Sequence, residues 1–336
     1  MKKLIALLCA LVMLLSLAAC SSAPEDTTVD DAASTTESAD TTNAEYAIGI
    51  CQLVTHPALD AATQGFKDAL TEALGEDVAF VENNAGGEPN NCTTIVDGFV
   101  SEGVDLIMAN ATAPLQAAAS ATADIPILGT SVTDYATALS ISDWTGTVGG
   151  NISGTSDLAP LADQAAMLNE LFPDAKNVGL LYCSAEPNSV YQVETMAGLL
   201  NDLGYTTEYY AFTDVNDLSA VTQTACDNSD VIYIPTDNTA AANTETIANV
   251  VLAAGIPVVA GEEGICAGCG VATLSISYYD LGYTTGQMAA KILTGEADIA
   301  EMPVEFAPNV TKKYQPSNCD ALGVTIPDGY EAIELG

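Results

Sequence analysis

The chain has 336 residues, of which 49% are hydrophobic and 15% charged, and this composition predicts a globular protein with room for about two domains. Its seven basic residues, all lysines, stand against 45 acidic ones, so the formal net charge is −38 at pH 7. A nucleic-acid-binding role is excluded by the missing basic surface, and without arginine no guanidinium group can bind a carboxylate or a phosphate.

The first residues predict export. Lys2 and Lys3 precede an apolar run of signal-peptide length, which ends in small residues before Cys20. The stretch L-A-A-C at 17–20 resembles a bacterial lipoprotein signal, which implies that residues 1–19 are removed and that Cys20 carries lipid. A transmembrane anchor is the alternative, and the shortness of the run disfavours it. Because anionic lipid repels so acidic a chain, the lipid would have to provide the attachment.

A tether follows the lipidated cysteine. Residues 20–45 consist mainly of Ser, Thr, Ala, Asp and Glu, with no lysine and little to bury. This composition predicts a disordered, self-repelling segment. Such a tether would hold a folded domain just clear of a membrane.

From Tyr46 onward, apolar runs alternate with segments of helical period. In chain order these are Y-A-I-G-I, Leu59 to Leu74, V-A-F-V, Cys92 to Val100, D-L-I-M-A, and a helix from about Pro114. Alternation of this kind is the pattern of strand–helix–strand units in a parallel sheet.

The same pattern then returns. N-V-G-L-L-Y at 177–182 resembles the first strand, and D-V-I-Y-I-P-T-D-N resembles D-L-I-M-A-N-A-T-A, which indicates an internal duplication of about 130 residues. The predicted fold class is α/β, with two Rossmann-like doubly wound lobes that have parallel sheets and are joined by a hinge. The carboxyl ends of both sheets would then border a shared crevice, where open α/β sheets bind ligands.

The lobes are predicted to be discontinuous in sequence. G-G-N-I-S-G-T-S-D at 149–157 has the composition of a hinge, and the helix-like segment Leu281 to Leu293 has no counterpart in the repeat. We therefore expect an N-terminal lobe of residues 46–150 plus about 277–300. The C-terminal lobe would contain 151–276 plus about 304–336.

Catalytic and metal-binding patterns are largely missing from the sequence. His56 is the single histidine, so a multi-histidine metal site is excluded, and no nucleophile elbow, P-loop or dinucleotide motif occurs. We expect no metal, no cofactor and no enzymatic activity. The pair in C-A-G-C at 266–269 is predicted to precede a strand rather than open a helix, which disfavours redox catalysis and leaves a structural metal or a loop disulfide open.

Polar residues follow the predicted strands in both halves. Asp237, at the end of V-I-Y-I-P-T-D-N, has two interpretations that the local sequence leaves open. It can cap the helix that follows, or it can face the crevice and bind a ligand.

Six segments carry a family resemblance: G-I-C-Q-L-V-T-H-P-A-L-D, S-V-T-D, N-I-S-G-T-S-D, E-P-N-S-V, Y-I-P-T-D-N and S-Y-Y-D-L-G-Y-T-T-G-Q-M-A. Over roughly residues 46–330 the chain resembles ABC-transporter substrate-binding lipoproteins of the tryptophan/tyrosine type, which have a type I periplasmic-binding-protein fold. The resemblance implies a monomer, lipid-anchored outside the cytoplasm. It would capture an amino acid, most often an aromatic one, between closing lobes and deliver it to a permease and its ATPase.

The resemblance and the strand ends together select the candidate binding residues. They are Gln52, His56, Thr112, Ala113, Thr133, Asn188, Ser189, Asp237, Asn238, Glu262 and Tyr278. Asp237 would bind the ammonium group of an amino acid. The carboxylate of the bound amino acid would lie at Thr112 with the Ala113 backbone, or at Asn188 with Ser189. The alternatives are a binding protein for a sugar, a nucleoside or another uncharged solute, and an exported redox enzyme that uses the C-x-x-C pair.

Overall fold

The computed structural model describes residues 44–307 and 309–334, all within one compact unit. The predicted signal peptide (1–19), Cys20 and the tether up to residue 43 lie outside the described residues. Within the described ranges, no helix is both long and apolar enough to span a membrane.

The first half of the described chain alternates strands and helices. Its elements are β1 (Tyr46–Gln52), α1 (Pro57–Leu74), β2 (Val78–Asn84), α2 (Pro89–Glu102), β3 (Leu106–Asn110), α3 (Thr112–Ala121), β4 (Ile127–Val132), α4 (Tyr135–Leu139) and β5 (Ile152–Ser156). A short 3-10 turn at Gly75–Asp77 separates α1 from β2. Helix α3 begins at Thr112, two residues before the start predicted at about Pro114. Pro114 lies in the first turn of the helix, where proline is tolerated.

The second half repeats this order. Its elements are α5 (Leu161–Leu171), β6 (Asn177–Cys183), α6 (Pro187–Asp202), β7 (Thr206–Phe212), α7 (Val215–Asn228), β8 (Val231–Ile234), α8 (Asn238–Ala242), α9 (Thr244–Ala254), β9 (Val258–Ala260), α10 (Glu263–Cys269) and β10 (Ala272–Ile276). The chain then continues through α11 (Tyr278–Leu293), a 3-10 turn at Ile299–Glu301, β11 (Glu305–Phe306), β12 (Val310–Tyr314), α12 (Pro316–Leu322) and β13 (Glu331–Ala332).

Two sheets form the centres of two lobes. The first has the strand order β11-β5-β4-β3-β1-β2 and is parallel throughout. The second has the order β13-β12-β10-β9-β8-β6-β7, in which β12 runs antiparallel to β10. The order β5-β4-β3-β1-β2 thus recurs as β10-β9-β8-β6-β7, so the two lobes repeat one topology.

Hydrogen bonds at the amino ends of the strands repeat as well. The backbone N–H of Ala47 donates to Asp105 at 2.8 Å, and that of Asn177 donates to Asp230 at the same distance. In each lobe an aspartate before the third strand therefore fixes the start of the first strand.

Apolar residues cover both faces of each sheet. In β1, Ile48 and Ile50 pack on one side, whereas Cys51 packs on the other. Two further clusters cover the two faces of the second sheet. Because helices occupy both faces, the open surfaces of the sheets are their edges and strand ends, where polar side chains collect.

The chain crosses between the lobes three times. Strand β5 pairs with β4 in the first sheet, so the first crossing follows Ser156 rather than the predicted residue 150. The second crossing, at Ser277, leads from β10 to α11, which packs on α1 of the first lobe. Strand β11 pairs with β5, so the third crossing follows Phe306, whereas the sequence placed it at about residue 304. The composition of residues 149–157 indicated a hinge. It did not indicate that β5, which lies within these residues, would join the first sheet.

Candidate functional site

A small cavity lies where the carboxyl ends of the strands in both lobes meet. Its volume is about 10 Å³, about the room of a single water molecule. Six residues of the first lobe line it, namely His56, Leu59, Ser131, Thr133, Asp157 and Tyr278. Six of the second lobe complete it, namely Asn188, Thr236, Asp237, Asn238, Ala241 and Glu262.

The lobes touch each other across this cavity. Asn238 donates its amide N–H to Glu186 at 2.7 Å, and its carbonyl oxygen lies 3.3 Å from His56 Nε2 of the first lobe. The amide of Gln192 in α6 reaches the hydroxyl of Thr133 in the first lobe at 3.5 Å. The lobes are therefore closed over the cavity.

Seven of the predicted binding residues are brought together here. They are His56, Thr133, Asn188, Asp237, Asn238, Glu262 and Tyr278. They come from the ends of β1, β4, β6, β8, β9 and β10, because parallel strands of both lobes end at the cleft.

Four predicted residues do not line the cavity. Gln52 points into its own lobe, where it accepts from Thr63 and donates to Asp60, each at 2.6 Å. Thr112 and Ala113 begin α3, and Ala113 packs against the first core cluster. Ser189 lies behind Asn188, whose amide donates to its hydroxyl at 3.3 Å.

Five lining residues were not selected from the sequence: Leu59, Ser131, Asp157, Thr236 and Ala241. Asp157 follows β5 and belongs to the quoted segment N-I-S-G-T-S-D, but that segment was interpreted as a hinge. Recognising it as a strand end would have selected Asp157 by the same rule that selected Thr133. Leu59 and Ala241 are small or apolar helix residues that no polar pattern marks.

Two of the three buried carboxyl groups in the cavity wall cap helices. Asp237 accepts from the backbone N–H of Ala240 at 2.8 Å and from that of Cys183 at 2.7 Å. Glu262 accepts from Gly264 at 2.6 Å and also from Ile265. Asp237 thus has the capping geometry and also lines the cavity, and its contact with a ligand stays a prediction.

Asp157 is held in a different way. It is 5% exposed, and both of its oxygens accept from side-chain hydroxyls. Thr133 donates to Oδ1 and Tyr278 donates to Oδ2, each at 2.9 Å. Because both donors are side-chain hydroxyls, these bonds of Asp157 do not cap a helix.

Burial without a basic partner shifts the titration of the wall. Burial raises the pKa of Asp237 to about 8 and that of Glu262 to about 7, and it raises the pKa of Asp157 above its usual range. Burial also lowers the pKa of His56, which favours the neutral imidazole. No lysine is among the residues that line the cavity.

Two buried polar atoms of the wall have no hydrogen-bond partner within the described chain. They are Ser131 Oγ and His56 Nδ1, and each residue is only 6% exposed. Since Asn238 offers its carbonyl oxygen to Nε2, the proton of the neutral imidazole lies on Nε2, and Nδ1 carries a lone pair. Ser131 also has a φ of 54°, a conformation that costs energy in a non-glycine residue and concentrates at functional sites.

These groups make the cavity rich in acceptors. Three carboxyl-bearing residues and His56, whose Nδ1 carries a lone pair, line a space whose described lining includes no lysine. Such a wall is suited to a molecule that donates hydrogen bonds and carries positive charge.

We expect the shifted pKa values to make folding stability depend on pH. In the fold, burial disfavours the charged form of these carboxyl groups and so raises their pKa. Their contribution to the free energy of unfolding is therefore complete below about pH 4, and it is lost as the pH rises through 7 to 8. The free energy of unfolding, measured in urea between pH 5 and pH 8.5, should therefore fall. Glu262→Gln should flatten this slope, and an unchanged slope in that variant would contradict the assignment to Glu262.

The C-x-x-C pair lies in helix α10 and not in the predicted loop. Cys266 and Cys269 are fully buried free thiols, and burial raises the pKa of both well above the ordinary range. No cluster of metal-ligating side chains occurs among residues 44–307 and 309–334. Because the thiolate is the reactive form, these thiols are poorly placed for redox exchange.

Comparison with known proteins gives matches over most of the chain. The family model described as ABC transporter substrate binding protein matches residues 47–332. A curated "Tyrosine-binding protein" from Clostridioides difficile (strain R20291) is 34% identical over 260 residues, which is 76% of this chain and 75% of the relative.

Solved structures extend the comparison. An ABC domain from Streptococcus pneumonia in complex with L-Trp is 30% identical, with a TM-score of 0.81, and the match covers 86% of this chain and all of that one. A ligand-free, open substrate binding protein with adhesive properties from Clostridium difficile is 33% identical, with a TM-score of 0.67 and coverage of 87% and 100%. The lower TM-score against the open structure agrees with the closed lobes described above. Binding proteins of 16% identity or less share the fold alone, and they confirm the predicted type I fold class.

Proposed function

The chain belongs to the ABC transporter substrate-binding protein family, and from this premise we propose that it binds an amino acid with an aromatic side chain in the cavity between its lobes. The cargo then passes to a membrane permease. The names of the relatives, which refer to tyrosine and L-Trp, support this class of ligand.

The acceptor-rich wall is the observation that carries the proposal. An ammonium group brings three N–H donors and a positive charge, and it finds carboxyl groups at Asp157, Asp237 and Glu262. Binding a cation there offsets the cost of burying these groups without a basic partner. An uncharged sugar would leave that cost in place.

The carboxylate of the amino acid needs donors other than arginine. Ser131 lies in the same wall, and its buried hydroxyl has no partner among the described residues. A hydrogen bond to a charged group is stronger than one between neutral groups, which makes this hydroxyl a suitable donor.

Space for a ring lies next to the polar cavity. A second cavity of about 470 Å³ shares Glu262 and Tyr278 as walls. It extends along the start of α1, α10 and the second crossing, and its lining includes Ala58, Ala61, Ala267, Ile276 and Ile333. An apolar wall beside a polar one suits an amino acid whose side chain is large and mostly apolar.

Ligand entry requires the lobes to separate. In this closed form the polar cavity of about 10 Å³ has room for about one water molecule, so the lobes must separate to admit an amino acid and then close around it less tightly than they do here. The three crossings form the connection about which the lobes would open, as in hinge closure around a ligand.

We extend the proposal to location and partners. Lipid on Cys20 and the tether of residues 20–45 would hold the protein outside the cytoplasm at the membrane, where it would act as a monomer. Its partners are the permease and the ATPase of an importer. The role is binding and not catalysis, in keeping with the buried thiols of α10.

Calorimetric titration of the purified protein tests the ligand class. We expect saturable binding of tryptophan, tyrosine or phenylalanine, with one molecule per chain, and no binding of hexoses or nucleosides. Binding of a sugar or a nucleoside, with no response to the three aromatic amino acids, would contradict the proposal and favour the uncharged-solute alternative.

A matched pair of variants tests the site. Ser131→Ala and Thr273→Val each remove a buried hydroxyl that has no partner in residues 44–307 and 309–334, and of these two residues Ser131 lines the cavity whereas Thr273 does not. We expect Ser131→Ala to weaken binding about tenfold or more, since a hydrogen bond to a charged group is lost. Thr273→Val should leave the dissociation constant unchanged, and equal effects of the two variants would show that Ser131 does not contact the ligand.

A further inference from the structure

We propose that Asp157, and not Asp237 or Glu262, is the residue that binds the ammonium group of the ligand, and that its hydroxyl network connects this contact to the closed lobes. The inference rests on the proposed function, because it assigns one group of the ligand to one side chain of the same cavity.

The first argument compares the partners of the three carboxyl groups. Asp237 and Glu262 each accept from two backbone N–H groups at the start of a helix or the end of a strand, so their oxygens are committed to holding the backbone. Moving either carboxylate toward a ligand would leave buried N–H groups without acceptors. Asp157 accepts only from the hydroxyls of Thr133 and Tyr278, which can rotate and also accept hydrogen bonds.

The second argument is the position of Asp157 at the crossings. It directly follows β5, where the chain first leaves the first lobe, and Tyr278 directly follows the second crossing at Ser277. Their hydrogen bond therefore joins two of the three segments that connect the lobes. A ligand held at Asp157 contacts the part of the molecule about which the lobes would move.

The third argument is a chain of hydrogen bonds across the cleft. Thr133 donates to Asp157 and accepts from the amide of Gln192, which belongs to the second lobe. The carbonyl oxygen of Gln192 in turn accepts from the hydroxyl of Thr236 at 2.8 Å. In this series of bonds the link between Gln192 and Thr133 joins the two lobes, so Asp157 is connected through Thr133 to a contact that holds them closed.

The polar atoms without partners complete the arrangement. His56 lines the same cavity, and its Nδ1, an acceptor without a partner in the described chain, would offer a second contact for the ammonium group. The backbone caps at Asp237 and Glu262 would then position helices α8 and α10 around the ligand without contacting its charge.

The test compares each amino acid with its desamino analogue. Tryptophan is paired with indolepropionate, and tyrosine with hydroxyphenylpropionate, so that only the ammonium group differs. The readout is the dissociation constant of the desamino analogue divided by that of the amino acid. This ratio is measured in the wild-type protein and in Asp157→Asn, Asp237→Asn and Glu262→Gln. Asp230→Asn, which alters a carboxylate at the opposite end of the sheet, is the control for folding and charge.

We expect Asp157→Asn to lower the ratio about 100-fold, because it removes one partner of a buried charge pair. Asp237→Asn and Glu262→Gln should keep the ratio within a few-fold of wild type, even where both affinities fall. Thr133→Val keeps the Asp157 carboxylate but removes its link to Gln192, and it should lower the ratio by less than Asp157→Asn does. If Asp157→Asn does not fold, the ratio in Thr133→Val tests the assignment instead. If Asp157 had a purely structural role, its substitution would weaken the binding of the amino acid and of the desamino analogue equally, and the ratio would not change.

Two results would overturn the assignment. One is an unchanged ratio in both Asp157→Asn and Thr133→Val, and the other is the collapse of the ratio in Asp237→Asn or Glu262→Gln. If the wild-type protein binds none of these molecules, the proposed function fails instead, so the two failures can be told apart.

Discussion

Gly282→Ala is expected to destabilise the protein by about 3 kcal/mol or more. A Cβ atom on Gly282 in α11 would lie 1.9 Å from the carbonyl oxygen of Ala62 in α1, and one on Gly65 would lie 2.1 Å from the carbonyl oxygen of Tyr279. The helices touch backbone to backbone, so a methyl group must push them apart. Since α11 begins at Tyr278, the same shift would move a wall of the cavity.

Gly198→Ala provides the matched control for this substitution. Gly198 also lies within a helix, α6, but a Cβ there would meet no atom within 4 Å. It should stabilise the protein by about 0.5–1 kcal/mol, because alanine favours helix. Urea denaturation measures both variants. If the two had similar effects on the free energy of unfolding, the close approach of α1 and α11 would be wrong.

Asp237→Ala is expected to cost about 2–4 kcal/mol of folding stability at pH 7. It leaves the backbone N–H groups of Cys183 and Ala240 buried without an acceptor, and each unpaired donor costs about 1–3 kcal/mol. The loss of an uncompensated buried carboxyl group offsets part of this cost, since burial raises its pKa to about 8. Denaturation at pH 6 and pH 8 should therefore show a larger loss at the lower pH.

Asp237→Asn separates capping from ligand binding. The amide keeps one acceptor oxygen of the same shape, so the expected loss of stability is smaller than for alanine. If Asp237→Ala folded as stably as the wild-type protein at both pH values, the capping role described above would be contradicted.

The repeated order of strands and helices was predictable because it depends on local patterns. Buried parallel strands appear as short apolar runs, and the helices between them have their own period, so D-L-I-M-A and D-V-I-Y-I could be aligned without coordinates. The partner of a short strand is a nonlocal property. That is why β5, which pairs with β4 of the first sheet, was placed in the second lobe.

The cavity was predictable only in part. The rule that strand ends face a cleft selected residues such as His56 and Glu262, which the structure places in one wall. The same rule could not separate Thr133, which lines the cavity, from Thr112, which begins a helix outside it, because side-chain direction depends on how the lobes close. The helix at Cys266 was missed since seven residues with two glycines show little helical period. The ligand contacts themselves stay predictions.

The most direct test of the central claim is a crystal structure of the protein with the aromatic amino acid that titration identifies. The account predicts the ligand between the two lobes, with its nitrogen within hydrogen-bonding distance of the Asp157 carboxylate and its ring toward Tyr278. A ligand bound outside the cleft, or one whose nitrogen contacts Asp237 or Glu262 and not Asp157, would contradict it.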